Sequence, residues 1–121
     1  MHNIDREMLE LAAFAVGIVG EWVEDSNLDD YYKLPTTGIL TRSEGRTRIW
    51  NAETSSGDAF RLAVELRLDI MGSMTTGNIR YVRNSPDTCA ILDVDSCAAT
   101  RCAIVRVASE IGRKMKETAK V

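Results

Sequence analysis

Apolar side chains recur with the period of an α-helix at the start of the chain. Within residues 4–16, Ile4, Met8 and Leu11 fall on one stripe. Glu10 faces away from that stripe. An amphipathic helix buries its apolar stripe against the rest of a domain. The pattern therefore predicts a first helix over residues 4–16.

The next part of the chain alternates polar and apolar residues with the period of a β-strand. Thr47 and Ile49 alternate with Arg48 and Trp50, which predicts one covered face and one face of long side chains. A turn that contains Gly45 precedes them and predicts a hairpin. Strands are expected at residues 18–23, 38–41 and 46–50, with an acidic loop at residues 24–30 and a strand extension at residues 31–34.

A polar turn and a second helix follow the hairpin. Residues 51–57 carry no apolar side chain except Ala52. Ser56 and Asp58 both suit the N-terminal cap of the helix, because a side-chain oxygen there can accept a free backbone N–H. The helix is expected to run to about Arg67. Its buried stripe consists of Ala59, Leu62, Ala63 and Leu66.

Three short strands and a long helix are expected in the last part of the chain. Residues 97–116 have a helical period, and Ile104 and Val107 widen the apolar band beyond one stripe. A band of that width indicates cover on two sides of the helix or a dimer contact. The stripe itself consists of Ala98, Cys102, Val105, Ala108, Ile111 and Met115. The strands are expected at residues 68–71, 78–82 and 89–94.

The order of these elements, α-βββ-α-βββ-α, predicts an α+β fold. A chain of 121 residues is long enough for one domain with a single core. We therefore expect one compact domain over residues 1–121. It should contain an antiparallel sheet of about six short strands, with the three helices packed mainly on one face. The order of the strands in the sheet does not follow from the pattern.

Two segments resemble a known group of proteins. Residues 50–66 read W-N-A-E-T-S-S-G-D-A-F-R-L-A-V-E-L, and residues 99–113 read A-T-R-C-A-I-V-R-V-A-S-E-I-G-R. They resemble small, largely uncharacterised proteins of tailed bacteriophages and prophages, in which W-N-P-x-T-D-D-G-D-A-L-R-L-A-V-K-L precedes A-T-R-x-A-I-V-R-A-A-x-E-I-G. This chain has Ala52 where the group has Pro, and Ser55 and Ser56 where it has acids. The resemblance implies a phage or prophage origin and a role in host takeover or counter-defence, and it names no reaction.

Charge and hydropathy narrow the class of partner. The net charge is −3, whereas a general nucleic-acid binder usually carries a marked excess of basic residues. No apolar run reaches the roughly 18 residues that a membrane span needs. The N-terminus lacks the basic start and cleavage site of a signal peptide. We therefore expect a protein of the host cytoplasm that binds neither membranes nor nucleic acid in general.

The residues that commonly carry catalysis are sparse. The cysteines, Cys89, Cys97 and Cys102, are odd in number and form no C-x-x-C pair. The single histidine, His2, lies at the terminus. Neither a zinc site nor a serine nucleophile with a base partner can be assembled from the motifs. The sequence therefore predicts no enzyme, no metal site and no cofactor.

Five residues suit a small-ligand site. Trp50 offers a flat stacking surface, and Asn51 offers donors and an acceptor for a base or amide edge. The helix that begins near Asp58 presents free amides to an anion, with Arg61 one turn further on. Arg101, near the start of the long helix, can hold a phosphate or carboxylate with two donors. Together these residues would suit a small signalling nucleotide.

The same residues also have structural interpretations. Trp50 suits a core anchor, and Asn51 suits a bond to the backbone of its own turn. Arg101 suits solvent or a pair with Asp95. Both interpretations stay open on the sequence alone.

An acidic stretch gives a second candidate surface. Asp29, Asp30, Tyr31 and Tyr32 are adjacent, and tyrosine is common in protein interfaces. We expect the protein to act by binding a host protein through such a face. Sequestration of a small signalling nucleotide is the alternative, and a minor virion component is a third possibility. A homo-oligomer is compatible with each of them.

Overall fold

The computed structural model describes residues 4–29, 35–43, 45–72, 79–85, 88–91 and 97–119. Within these residues the backbone forms three helices and two antiparallel sheets, which confirms the α+β class. The helices are α1 (Arg6–Ala15), α2 (Ser56–Glu65) and α3 (Cys97–Ala119). The strands are β1 (Glu21–Ser26), β2 (Thr36–Ser43), β3 (Arg46–Trp50), β4 (Asp69–Gly72), β5 (Ile79–Ser85) and β6 (Thr88–Ile91).

The strands form separate sheets, so the expected single sheet is wrong. The first sheet has the order β1-β2-β3, and the second has the order β4-β5-β6. β3 is an edge of the first sheet, and the backbone N–H groups of Ile49 and Asn51 donate to the carboxylates of Asp29 and Asp58. Because side chains occupy these edge amides, no further strand can pair with them.

The strand boundaries also differ from the expected ones. β1 begins three residues later than predicted and includes residues 24–26, which were expected to be loop. Pairing with β2, with Trp22 opposite Ile39, extends the strand through polar residues at the sheet edge. The strand extension expected at residues 31–34 lies outside the described residues. The described residues contain six strands, three in each of two sheets, where one sheet of about six strands was expected.

α3 is surrounded by other elements of the chain. It packs against α1, α2, β5 and β6, and its buried residues cover most of its circumference. The wide apolar band around Ile104 and Val107 is therefore covered within the chain. Ala98 and Met115, which were expected in the buried stripe, are exposed. They lie near the two ends of the helix, beyond the positions at which it is surrounded.

The core joins all three helices to both sheets. It contains Leu9 of α1, Ile39 of the first sheet, Leu62 of α2 and Val82 of the second sheet. α1 and α3 approach so closely that a Cβ at Gly112 would lie 2.0 Å from the carbonyl oxygen of Leu11. A glycine at this position therefore permits backbone contact between the two helices.

Candidate functional site

The polar turn at residues 51–58, called the Asn51 turn below, is built around one side chain. The Nδ2 atom of Asn51 donates to the carbonyl oxygen of Thr37 at 2.8 Å. Its Oδ1 atom accepts the backbone N–H groups of Glu53 at 2.9 Å and Thr54 at 3.3 Å. Asn51 is 6% exposed. Its side-chain amide therefore stabilises its own turn and connects that turn to β2, as in the structural interpretation.

Asp58 closes the same turn from the first turn of α2. Its Oδ2 atom accepts the backbone N–H of Asn51 at 3.0 Å, and the residue is 2% exposed. The N-terminal cap is Ser55, whose Oγ atom accepts the backbone N–H of Asp58 at 3.2 Å. The prediction that Ser56 or Asp58 caps α2 is therefore wrong. The helix begins at Ser56, so the capping oxygen belongs to the residue before it.

Arg101 of α3 holds the outer side of the Asn51 turn. Its Nε atom donates to the carbonyl oxygen of Glu53 at 2.8 Å, and its Nη1 atom donates to Ser56 Oγ at 3.0 Å. Asp95, the partner considered from the sequence, lies outside the described residues. Both bonds go to atoms of the turn, so Arg101 links α3 to the start of α2.

Burial raises the pKa of two side chains near the turn, those of Glu53 and Cys102. Burial raises the pKa of the Glu53 carboxyl, and the charge of Arg101 partly opposes that change. Burial and the nearby Glu53 carboxylate raise the pKa of the Cys102 thiol, and Arg106 and Arg101 oppose them. A thiol with a raised pKa is protonated at neutral pH and is a poor nucleophile. This agrees with a structural role for Cys102.

Trp50 belongs to the hydrophobic core. It is 9% exposed and lies in the same cluster as Ile39 and Leu62. The face that could stack on a base is therefore covered, as the core-anchor interpretation requires. Gly38 lets the backbone of β2 approach that of β3 closely at this point, since a Cβ there would lie 2.3 Å from the carbonyl oxygen of Trp50.

An open cleft of about 490 Å³ lies beside the Asn51 turn. The Nη2 atoms of Arg48 and Arg61 each lie 3.5 Å from Asp58 Oδ1. The structure thus brings together Asn51, Asp58 and Arg61 of the predicted ligand-binding set. Trp50, Arg61 and Arg101 do not line this cleft. It is lined by Thr36, Ile49, Asn51, Thr54, Ser55, Ser56, Gly57 and Asp58.

The predicted acidic face is only partly described. Asp29 is 6% exposed, and its Oδ2 atom accepts the backbone N–H of Ile49 at 2.7 Å. Asp29 was expected on an exposed partner-binding face, and this expectation is wrong. Its carboxylate is buried and accepts a backbone N–H at the edge of β3. Asp30, Tyr31 and Tyr32 lie outside the described residues.

One surface was missed from the sequence. Phe60 and Val64 point outward from α2 and are 68% and 57% exposed. With Gly57 and Arg61, both also exposed, they form what we call the α2 outer face. The signal was present in the sequence, since Phe60 and Val64 are four residues apart and lie outside the buried stripe of the same helix.

Two further properties concern the described part of the chain. Its histidine, cysteine and acidic side chains form no group of three or more that could hold a metal ion. Its helices include none with the length and apolar character needed to cross a membrane.

Comparison with known proteins gives no assignment. Protein-family models, curated proteins and solved structures contain no match to this chain.

Proposed function

We propose that this protein acts by binding another protein through the α2 outer face. The observation that carries the proposal is the exposure of Phe60 and Val64 one helical turn apart. α2 also buries Leu62 and Ala63 on its opposite side, so it has apolar residues on both faces. A helix with that pattern is normally covered all round, and adjacent exposed apolar residues mark interaction surfaces.

The energetic contribution of such a contact is substantial. Full burial of a Phe or Val side chain gains roughly 1.5–3 kcal/mol. Phe60 and Val64 already bury part of their surface, so the pair offers about 2–4 kcal/mol on binding. A central apolar contact of this kind often contributes most of the affinity of an interface.

The sequence resemblance supplies the biological setting of the proposal. In a phage or prophage setting the partner is a host protein in the host cytoplasm, and the effect is host takeover or counter-defence. The acidic stretch with Asp30, Tyr31 and Tyr32 stays a prediction as a second contact surface. The protein contributes binding rather than catalysis in this proposal.

Comparative capture from a bacterial lysate tests the proposal. We would immobilise the wild-type chain, the double variant Phe60→Ser/Val64→Ser and the control Val19→Ser/Leu28→Ser. The control removes two apolar side chains that are also strongly exposed. We expect the wild type and the control to capture the same host protein and the Phe60/Val64 variant to lose it. Equal capture by the two double variants would contradict the proposal.

Sequestration of a small signalling nucleotide is a second candidate. The open cleft and the exposed Arg61 favour it, because a cleft of this size can hold a small ligand. Its test is thermal unfolding of the purified protein with mono-, di- and cyclic nucleotides. A ligand at 100 times its Kd stabilises a fold by about 2.7 kcal/mol, which a melting curve resolves. An unchanged melting temperature across the panel would contradict this candidate.

A further inference from the structure

The apolar residues of the α2 outer face match a second copy of the same helix. Phe60 and Val64 are four residues apart, which is about 6 Å along the helix axis. When two α2 helices lie side by side in opposite directions, Phe60 of each copy meets Val64 of the other. A two-fold axis relates such contacts, as in most homodimers. Both side chains are more than half exposed, so the surface that this contact needs is accessible.

The exposed charges of α2 have the same two-fold pattern. The helix contains three charged residues, of which Asp58 is buried whereas Arg61 and Glu65 are exposed. The two exposed charges lie on one side of the apolar line and are also four residues apart. Their midpoint lies one residue, about 1.5 Å, from that of the apolar pair. One two-fold axis therefore places Arg61 of each copy beside Glu65 of the other while the apolar residues stay in contact.

Glu65 lies where a negative charge is least favourable on α2. It is the last residue of the helix, where the helix dipole disfavours an anion, and the last turn contains no basic residue. The exposed Arg67 follows after the helix end. A second copy brings the guanidinium of its Arg61 to the Glu65 carboxylate and to the same helix end.

The contact between Arg61 and Asp58 is compatible with this arrangement. Arg61 Nη2 lies 3.5 Å from Asp58 Oδ1, and the Arg61 side chain is 60% exposed. A guanidinium has five N–H donors in a planar fork. It can therefore contact Glu65 of the second copy and remain beside Asp58.

We infer that a second copy of this chain is an alternative occupant of the α2 outer face, bound as an antiparallel pair of α2 helices. Because a host protein would use Phe60 and Val64 as well, the dimer and the host complex exclude each other. Self-association then regulates how much of the protein can bind its partner, and this regulation rests on the proposed function. The contact uses one line of a ten-residue helix, so it is small and of the transient kind. The monomer therefore predominates in dilute solution.

Sedimentation equilibrium of the full chain tests for this dimer. Reducing conditions are needed, because the exposed Cys97 can otherwise form a disulfide between copies. We expect the weight-average mass of the wild type to rise towards that of two chains as the concentration approaches about 1 mM. Phe60→Ser/Val64→Ser should remain monomeric. A monomeric wild type at that concentration, or equal association of the two proteins, would overturn the inference.

Charge reversal tests the antiparallel arrangement. Arg61→Glu and Glu65→Arg each replace two attractive contacts of the dimer by two like-charge contacts. Each variant alone should therefore self-associate about ten-fold more weakly than the wild type. An equimolar mixture of the two should recover the association of the wild type, because each contact in the mixed dimer again joins an acid to a base. Absence of recovery on mixing would contradict the arrangement.

The matched control is the pair Arg42→Glu and Glu21→Arg. These variants make the same changes of charge at exposed positions of the first sheet. At physiological salt, which screens distant charges, each control variant and their mixture should associate as the wild type does. Equal weakening in the control variants would show that net charge controls association, and it would overturn the inference.

Folding of the variants is checked by thermal unfolding. Arg61→Glu needs this check most, because Arg61 lies beside the buried Asp58. Glu65→Arg and Phe60→Ser/Val64→Ser leave that pair unchanged, so they test the contact even where Arg61→Glu is unfolded.

The dimer and the proposed function fail separately. If the wild type stays monomeric but captures a host protein that Phe60→Ser/Val64→Ser loses, the dimer is wrong and the proposed function stands. If the wild type forms the dimer and captures no host protein, the self-contact stands and its regulatory role fails with the proposed function.

Discussion

The Asn51 turn and the α2 outer face lie within one helical turn of each other and differ in what their side chains contact. In the turn, Asn51 and Asp58 are buried and bonded to backbone groups of the same chain. On the outer face, Phe60 and Val64 are apolar and largely exposed. Polar residues next to an open cleft would ordinarily attract a functional assignment. Here the polar residues hold the fold, and the apolar residues are available to a partner.

The two regions differ in how much bonding capacity their side chains have left for a ligand or partner. A polar side chain whose donors and acceptors are all bonded within the protein has little left for a ligand. An exposed apolar side chain can still be buried against a partner, which is favourable. Arg61 belongs to both regions, because it lies near Asp58 and remains accessible beside Phe60.

Asn51→Ala should have the largest effect on stability. It removes the partners of the Glu53 and Thr54 N–H groups and of the Thr37 carbonyl. These three groups are partly buried, so each costs about 1–1.5 kcal/mol when it is left unsatisfied, and we expect a total loss of about 3–5 kcal/mol in urea unfolding. Thr54→Ala, an exposed side chain of the same turn, should change stability by less than about 0.5 kcal/mol. A small loss for Asn51→Ala would show that the turn does not hold the fold.

Asp29→Ala should destabilise less than Asn51→Ala. It leaves the N–H of the buried Ile49 without its acceptor. The expected cost is about 2 kcal/mol. The freed amide also restores a pairing position at the edge of β3, so the variant should associate more readily in analytical ultracentrifugation. Wild-type stability in this variant would argue that Asp29 does not secure the edge.

Arg101→Met should have a moderate effect. It keeps the aliphatic part of the side chain and removes the bonds to the Glu53 carbonyl and Ser56 Oγ. We expect a loss of about 1–2 kcal/mol in thermal unfolding. Capture of the host protein should be unchanged per folded molecule. Lost capture with unchanged stability would instead place Arg101 in the binding site.

Glu110→Gln should have the smallest effect and shows what an exposed charge contact contributes. The hydrogen bond from Arg113 lowers the pKa of Glu110 from its ordinary value of 4.5. Its stabilisation is therefore present above about pH 4.5 and is lost as the pH falls through the lowered value. Because both side chains are about half exposed, we expect a few tenths of a kcal/mol at pH 7. Unfolding curves of the two proteins should coincide at low pH, and a difference that grows on acidification would contradict this assignment.

Local patterns predicted a large part of the fold. The polar run before Asp58 predicted the turn, and the wide band around Ile104 predicted a helix covered on more than one side. The S-x-x-D spacing of Ser55 and Asp58 also indicates the correct cap, although the residues predicted, Ser56 and Asp58, lie one and three positions later. These features depend on neighbours within four residues, which a sequence displays directly.

Contacts between distant residues could not be predicted in the same way. Asp29 accepts the N–H of Ile49 from twenty positions away, and this bond helps to end the first sheet. Trp50 suited both a core and a stacking surface, because its burial depends on residues distant in the sequence, such as Ile39 and Leu62 of the same cluster. The outward direction of Phe60 followed from the helical period, but its exposure depended on what else packs against α2.

Equilibrium urea unfolding of Phe60→Ser/Val64→Ser, beside Asn51→Ala and the wild type, tests the division between these regions most directly. If Phe60 and Val64 are free for a partner, their loss should change the unfolding free energy by less than about 1 kcal/mol. Asn51→Ala should lose about 3–5 kcal/mol in the same experiment. A loss in the double variant as large as that in Asn51→Ala would place Phe60 and Val64 in the folded core and contradict a binding role for the α2 outer face.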